Sequence, residues 1–211
     1  MRNMVALCLL ALATAASACP TMLNLVPTAD VVGRGGYSLG LELDGHATPF
    51  SEGAELWAMT DFGVTDRLEV GVDVADATSR ASWFVDAKWQ VVPEAHGAPA
   101  VAVGVLDMVH LRDEGAWYAV ASKNVPGSPL RLTAGFQRDD RSRGLLGGQY
   151  AVNDAVTLYA DWTTGPETYA TLGVGRSLTD GVSVLAYYAR SNTSREDDFV
   201  GLNLCFSGHW R

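Results

Sequence analysis

The chain has 211 residues, 48% of them hydrophobic, only 18% charged, and a net charge of −9. A sparsely charged, acidic chain lacks the basic stripe that nucleic-acid binding requires. After the N-terminus no apolar stretch approaches the roughly 18 residues of a membrane-spanning helix, so a membrane form must be a closed barrel with no open sheet edge.

Met1-Arg2-Asn3 is a short positive segment, followed by a mainly apolar run from Met4 to Ala16 and then by Ala16-Ser17-Ala18. That order is the charged start, short hydrophobic stretch and A-x-A site of a cleaved export signal over residues 1–18. Cys19 follows the cut and raises lipid anchoring, although Ala16 stands where bacterial lipoprotein signals usually carry Leu, and Pro20 comes next. Cys8 leaves with the signal, so Cys19 and Cys205 remain; in an oxidising compartment they are a candidate disulfide pair, and two separate thiols are the simpler reading. Residues 19–34, with Pro20 and Pro27, read as an irregular lead-in, and 35–211 as a single β-barrel.

From residue 35 the pattern predicts about twelve strands of the length a tilted strand needs to cross a bilayer, or ten if the weakly alternating hairpin around 116–123 does not insert. The spans are 35–43, 54–62, 68–75, 81–91, 100–109, 116–123, 129–137, 144–151, 156–163, 168–177, 182–190 and 198–206. Gly63-Val64-Thr65-Asp66 introduces the third strand. It returns loosely as Ala151-Val152-Asn153-Asp154 before the ninth and as Ser177-Leu178-Thr179-Asp180 before the eleventh. Each is a polar turn between strands of half-buried period, and all three fall at one end of the sheet.

Several strands alternate cleanly enough to assign faces. Leu68, Val70 and Val72 oppose Glu69, Gly71 and Asp73; Trp83, Val85, Ala87 and Trp89 oppose Phe84, Asp86, Lys88 and Gln90. Leu132 and Phe136 oppose Arg131 and Gln137, Leu158 and Trp162 oppose Tyr159 and Asp161, and Leu202, Leu204 and Phe206 oppose Asn203 and Cys205. The apolar faces carry Trp83, Trp89, Phe136, Trp162, Tyr188 and Phe206 near strand ends, where interfacial aromatic girdles sit. The polar faces assign Glu69, Asp73, Asp86, Lys88, Gln90, Arg131, Gln137, Asp161 and Asn203 to the lumen.

Leader, turns, alternating strands and an aromatic-bearing last strand resemble bacterial outer-membrane β-barrel proteins over roughly residues 35–206. The resemblance is one of pattern and names a class, a small porin-like barrel, without a specific family. It implies an all-β, antiparallel up-and-down transmembrane barrel in the outer membrane, with membrane lipids and the barrel assembly machinery as partners. The machinery's terminal aromatic would be Phe206 or Trp210, since the chain ends on Arg211.

Nothing assembles a catalytic constellation, and no enzyme, cofactor or metal site is expected. His46, His96, His110 and His209 fall in connectors or at the tail, out of reach of a wall-borne serine. Cys205 and His209 alone are too few for a metal. Asp139 to Arg143 and Arg195 to Asp198 read as salt-bridged loops, and Gly144-Leu145-Leu146-Gly147-Gly148, with no Lys-Ser/Thr after it, as a bend in the wall. The expected function is a passive porin-like channel for small solutes. The alternatives are a plugged barrel with a structural, envelope-biogenesis or partner-binding role, and a soluble periplasmic β-protein.

Overall fold

The computed structural model describes residues 21–47, 54–75, 81–109 and 115–210. The predicted signal and Cys19 lie outside the described residues. Twelve strands follow in chain order: β1 (Gly36–His46), β2 (Glu55–Gly63), β3 (Leu68–Ala75), β4 (Ser82–Val92), β5 (Ala100–Leu106) and β6 (Ala116–Asn124), then β7 (Leu130–Arg138), β8 (Ser142–Ala151), β9 (Val156–Thr163), β10 (Tyr169–Thr179), β11 (Val182–Ser191) and β12 (Phe199–His209). Each pairs antiparallel with its sequence neighbour, and β1 closes on β12 in unbroken register from Gly36 opposite His209 to His46 opposite Phe199. The weakly alternating segment at 116–123 is β6, fully paired to β5 and β7, which settles the count at twelve.

The tight turns close as their sequence implies. Thr65 Oγ1 accepts the backbone N–H groups of Arg67 at 3.1 Å and Leu68 at 3.0 Å, and Asn153 Oδ1 accepts those of Ala155 and Val156, both at 2.9 Å. Such side-chain closure is why Thr and Asn recur there. These turns, with connections 93–99 and 125–129 and the strand ends Gly36 and His209, form the turn end of the barrel; 107–109, 139–141, 164–168 and 192–198 belong to the opposite, loop end.

Two strand boundaries differ from expectation for local reasons. β5 stops at Leu106 because Asp107 takes a left-handed φ of 54° and turns its N–H onto Asp86 Oδ1 at 2.7 Å. β12 runs on through Ser207 to His209 because β1 pairs with it to the end, so these residues are strand and not a free tail. Trp210 then packs on Tyr37 and Phe62, with ring centroids 6.4 and 5.8 Å apart.

The outer face is apolar all the way round. Leu41, Leu132, Leu146, Leu158, Leu172 and Leu202 are all exposed there, Leu172 at 69%. A belt of that extent is not stable in water, and it is the surface a barrel presents to lipid. Aromatics gather at its two rims. Trp83, Trp117, Phe136, Trp162 and Tyr188 are exposed towards the loop end, and Trp89, Tyr150, Phe62, Phe206 and Trp210 towards the turn end. The apolar residues of the repeated turns, Val64, Val152 and Leu178, are exposed just beyond the lower rim.

Candidate functional site

The lumen is not empty. Residues 21–34, the irregular lead-in of the sequence, fold back into the barrel as a plug. Residues 21–28 make a narrow hairpin, with Thr28 N–H on Thr21 O at 3.0 Å and Leu23 N–H on Val26 O at 2.9 Å. Leu23, Val26 and Ala29 are at most 2% exposed and pack with Ala100, Ala102, Val120, Leu145, Leu185 and Ala189 of the inward wall. Fully burying a Leu or Val side chain contributes about 1.5–3 kcal/mol, so this apolar seam alone gives the plug a substantial hold.

Polar anchors fix its register. At the tip, Asp161 Oδ2 accepts the backbone N–H groups of Asn24 at 2.7 Å and Leu25 at 3.0 Å, while Asp161 Oδ1 receives the Thr171 hydroxyl at 2.6 Å. Midway, Ser122 Oγ accepts the Ala29 N–H and Gln90 donates to Ala29 O. Lys88 uses all three ammonium donors: on Glu69 at 2.8 Å, Thr21 O at 2.9 Å and Asp30 O at 3.1 Å. Glu69 Oε2 in turn takes the Val32 N–H at 2.7 Å.

At the turn end Arg131 grips Asp30 with a two-pronged fork, Nη2 to Oδ1 at 2.7 Å and Nε to Oδ2 at 3.0 Å, and gives Nη1 to Glu94 at 2.5 Å. Partial burial opposes the charge of Glu94, but the Arg131 guanidinium and the Asn124 N–H outweigh it and hold the carboxyl below the usual carboxylate range.

The wall is asymmetric around this plug. Strands β5 to β11 turn mostly small or apolar residues onto it, whereas β1 to β4 turn carboxylates inward and stand off. Between plug and β1–β4 lies a cavity of about 360 Å³. Its lining includes Glu42, Asp44, Asp61, Glu69, Asp73 and Asp86, with Lys88 as the one basic residue. Lys88 is engaged by Glu69, so five of these carboxylates remain without a cation from the lining. Glu42 accepts the Tyr187 hydroxyl at 2.9 Å and the Asn203 amide N–H at 2.8 Å, and Asp73 accepts the Thr60 N–H at 3.2 Å.

The sequence-assigned lumen residues therefore have distinct placements. Asp73, Asp86 and Asn203 border the cavity; Lys88, Glu69, Gln90, Arg131 and Asp161 hold the plug. Gln137 is half-buried between Tyr118 and Arg143 in the sheet register. The aromatics Trp83, Trp89, Phe136, Trp162, Tyr188 and Phe206 all lie exposed on the outer face. Arg131 pairs with Asp30 and Glu94.

Cys205 is buried beside Ser38, Sγ to Oγ 3.3 Å, while its candidate partner Cys19 lies outside the described residues. Arg143 is bound to Asp139 at 2.7 Å and Arg141 to Asp140 at 3.2 Å, a salt-bridged loop. His209 ends β12 on the turn-end rim, and among the described residues no three histidines, cysteines or carboxylates converge as a metal site needs. Sequence reading missed Glu42, Asp44 and Asp61. The signal was there, since Leu39, Leu41 and Leu43 alternate with Gly40, Glu42 and Asp44.

No protein-family model matches the chain, and no curated protein is similar to it in sequence. Its fold is similar to that of solved outer-membrane barrels. The KdgM porin shares 11% identity over 82% of this chain and 99% of that one, with a TM-score of 0.61. The KdgM porin in complex with disordered oligogalacturonate gives 8%, 83%, 99% and 0.54. The translocator domain of the autotransporter NalP from Neisseria meningitidis gives 13%, 84%, 89% and 0.48. Twelve closed antiparallel strands, a lipid-facing belt and the porin likenesses define the class: the chain has the fold of an outer-membrane β-barrel of porin type.

Proposed function

We propose that the protein is an outer-membrane channel for small solutes that its own N-terminal segment throttles from within. The observation that carries this reading is the plug: residues 21–34 fill the β5–β11 side of the lumen and leave an acidic cleft along β1–β4. On this reading the chain is exported by its cleaved leader and inserted by the assembly machinery, with the tight turns in the periplasm and the loop end outside. The wall passes cations and neutral solutes in preference to anions, because the uncompensated inward charge is acidic. An acidic oligosaccharide, such as the oligogalacturonate held by the KdgM porin, is poorly suited to this lumen.

Conductance in planar bilayers tests the reading with two refolded chains, one starting at residue 19 and one at residue 33, each checked for folding by heat-modifiable gel migration. The longer chain should give small or rare steps, and the shorter one frequent, larger and cation-selective steps. A folded, inserted short barrel that stays silent would favour the second reading, a barrel that is structural or binds a partner. The depth at which Leu23 and Val26 are buried is the observation behind that alternative.

A further inference from the structure

We propose that the cavity between the plug and the β1–β4 wall is a binding site for a small organic cation, an ammonium or guanidinium carried on a compact apolar body. The inference deepens the channel reading and rests on it only for the route by which the ligand arrives.

Three properties of the cavity select that chemistry. The first is charge. Five carboxyl groups border the space without a cation from the lining. Two pairs of them, Glu42 with Asp44 and Asp73 with Asp86, are hydrogen-bonded to each other. Like charges gathered there are costly unless a shared proton or an entering cation neutralises them. The second is hydrogen-bonding capacity. The Lys88 ammonium is fully occupied by Glu69, Thr21 and Asp30. The Asn203 amide is oriented by its Nδ2 donation to Glu42 at 2.8 Å, which turns Oδ1 the other way. That oxygen has no hydrogen-bond partner, the residue is 2% exposed, and a side chain on Gly40 of the lining would come within 3.4 Å of Oδ1. The oxygen is closed to a molecule the size of water, so a ligand would reach it only after the amide tilts towards the space. An unmet acceptor beside the carboxyl groups then favours a ligand that donates.

The third property is the apolar surface. Trp57, Met59, Leu25, Leu106, Tyr169 and Phe199 complete the lining. Aromatic faces beside carboxylates attract a cation that also carries hydrocarbon. A volume of about 360 Å³ suits such a molecule, and no three ligating side chains converge, among the described residues, to serve a bare metal ion. An anion would meet the carboxylates, and a neutral sugar would find too few donors on the wall.

Isothermal titration calorimetry on the refolded chain in detergent provides the test, with benzylammonium, benzoate and benzyl alcohol as probes. The three share one ring and differ in charge, so benzyl alcohol reads partition into micelles. Saturable one-site binding of benzylammonium, with the other two at least about tenfold weaker, is the expected result. Asp73→Asn with Asp86→Asn should weaken it by about tenfold or more, and Trp57→Leu by about severalfold, as expected from a lost charge partner and a lost aromatic wall. Asp44→Asn replaces the double variant if that one does not fold, and Asp140→Asn in the loop should change nothing. Equal binding of benzoate or benzyl alcohol, or no saturable heat from benzylammonium on folded protein, overturns the proposal. A silent short barrel, alongside saturable benzylammonium binding by the chain starting at residue 19, sinks the channel reading alone. A conducting short barrel, alongside no binding by the chain starting at residue 19, which keeps the plug side of the site, sinks this inference alone.

Discussion

Lys88 sits where three structures meet: the β3–β4 wall, the plug backbone and the acidic cavity. Its side chain and that of Glu69 are 5% and 4% exposed, so neither charge can fall back on water. Lys88→Met should therefore cost about 3–5 kcal/mol, because Glu69 is left buried and unpaired. Replacing both, Lys88→Met with Glu69→Leu, should recover most of that loss; urea unfolding from lipid vesicles would measure it. Glu94 at the turn end obeys a different rule. Its carboxyl is held below the usual range, facing Arg131 and Lys123, with Asp30 sharing the same guanidinium. A depressed folded pKa means its contribution is complete above the ordinary carboxylate value and is lost as pH falls through the lower one. The Glu94–Arg131 contact should thus be lost only below about pH 4. Glu94→Gln should remove that acid step from urea unfolding followed against pH, while leaving the plug seated at neutral pH by the Arg131–Asp30 fork.

Among the elements, the strands were legible and the plug was not, for one physical reason. Where a strand faces lipid outside and polar groups inside, period-two alternation is clean, as in Leu68 to Asp73 or Trp83 to Gln90, and both faces could be read directly. Ala100-Val101-Ala102-Val103 and Ala119-Val120-Ala121 do not alternate, which made their hairpin doubtful as a membrane strand pair. The structure supplies the cause. Ala100, Ala102 and Val120 are buried against Leu23, Val26 and Ala29, so these strands are apolar on both faces. Weak alternation was the trace of the plug, and the plug itself, with no period of its own, looked like a lead-in. Gly147, which read as a bend, has a second use: a Cβ there would come within 2.5 Å of Leu23 Cδ1. The same Cβ would come within 2.7 Å of Asp161 Cβ and 2.8 Å of Ala160 O on β9. Gly147→Val should therefore unseat the hairpin tip and also strain the β8–β9 pairing, seen as raised conductance, with heat-modifiable migration reporting whether the barrel still closes. Conductance at the level of the intact chain would mean that Leu23 does not set the plug's position.

For the whole molecule, on the proposed channel reading, the division of the lumen into an apolar half that carries the plug and an acidic half that stands open would decide what the barrel passes. Withdrawing residues 21–34 removes the Asp30 partner of Arg131 and the backbone partners of Lys88 and Asp161, but leaves the β1–β4 carboxylates in place. The opened pore therefore remains negative on one wall, and a ring or stripe of carboxylates concentrates cations within a screening distance of about 10 Å at 0.1 M salt. Reversal potentials of the chain starting at residue 33 under a salt gradient should lie on the cation side. They should move towards zero when Asp61, Asp73 and Asp86 become Asn, and towards zero again as ionic strength rises. Changing Asp139 and Asp140, paired with arginines in a loop, should leave them alone. If the triple variant keeps the original selectivity, the cation preference arises at the loop-end mouth instead, where Asp44 and Glu55 stand opposite each other on β1 and β2, and neutralising that pair becomes the decisive measurement.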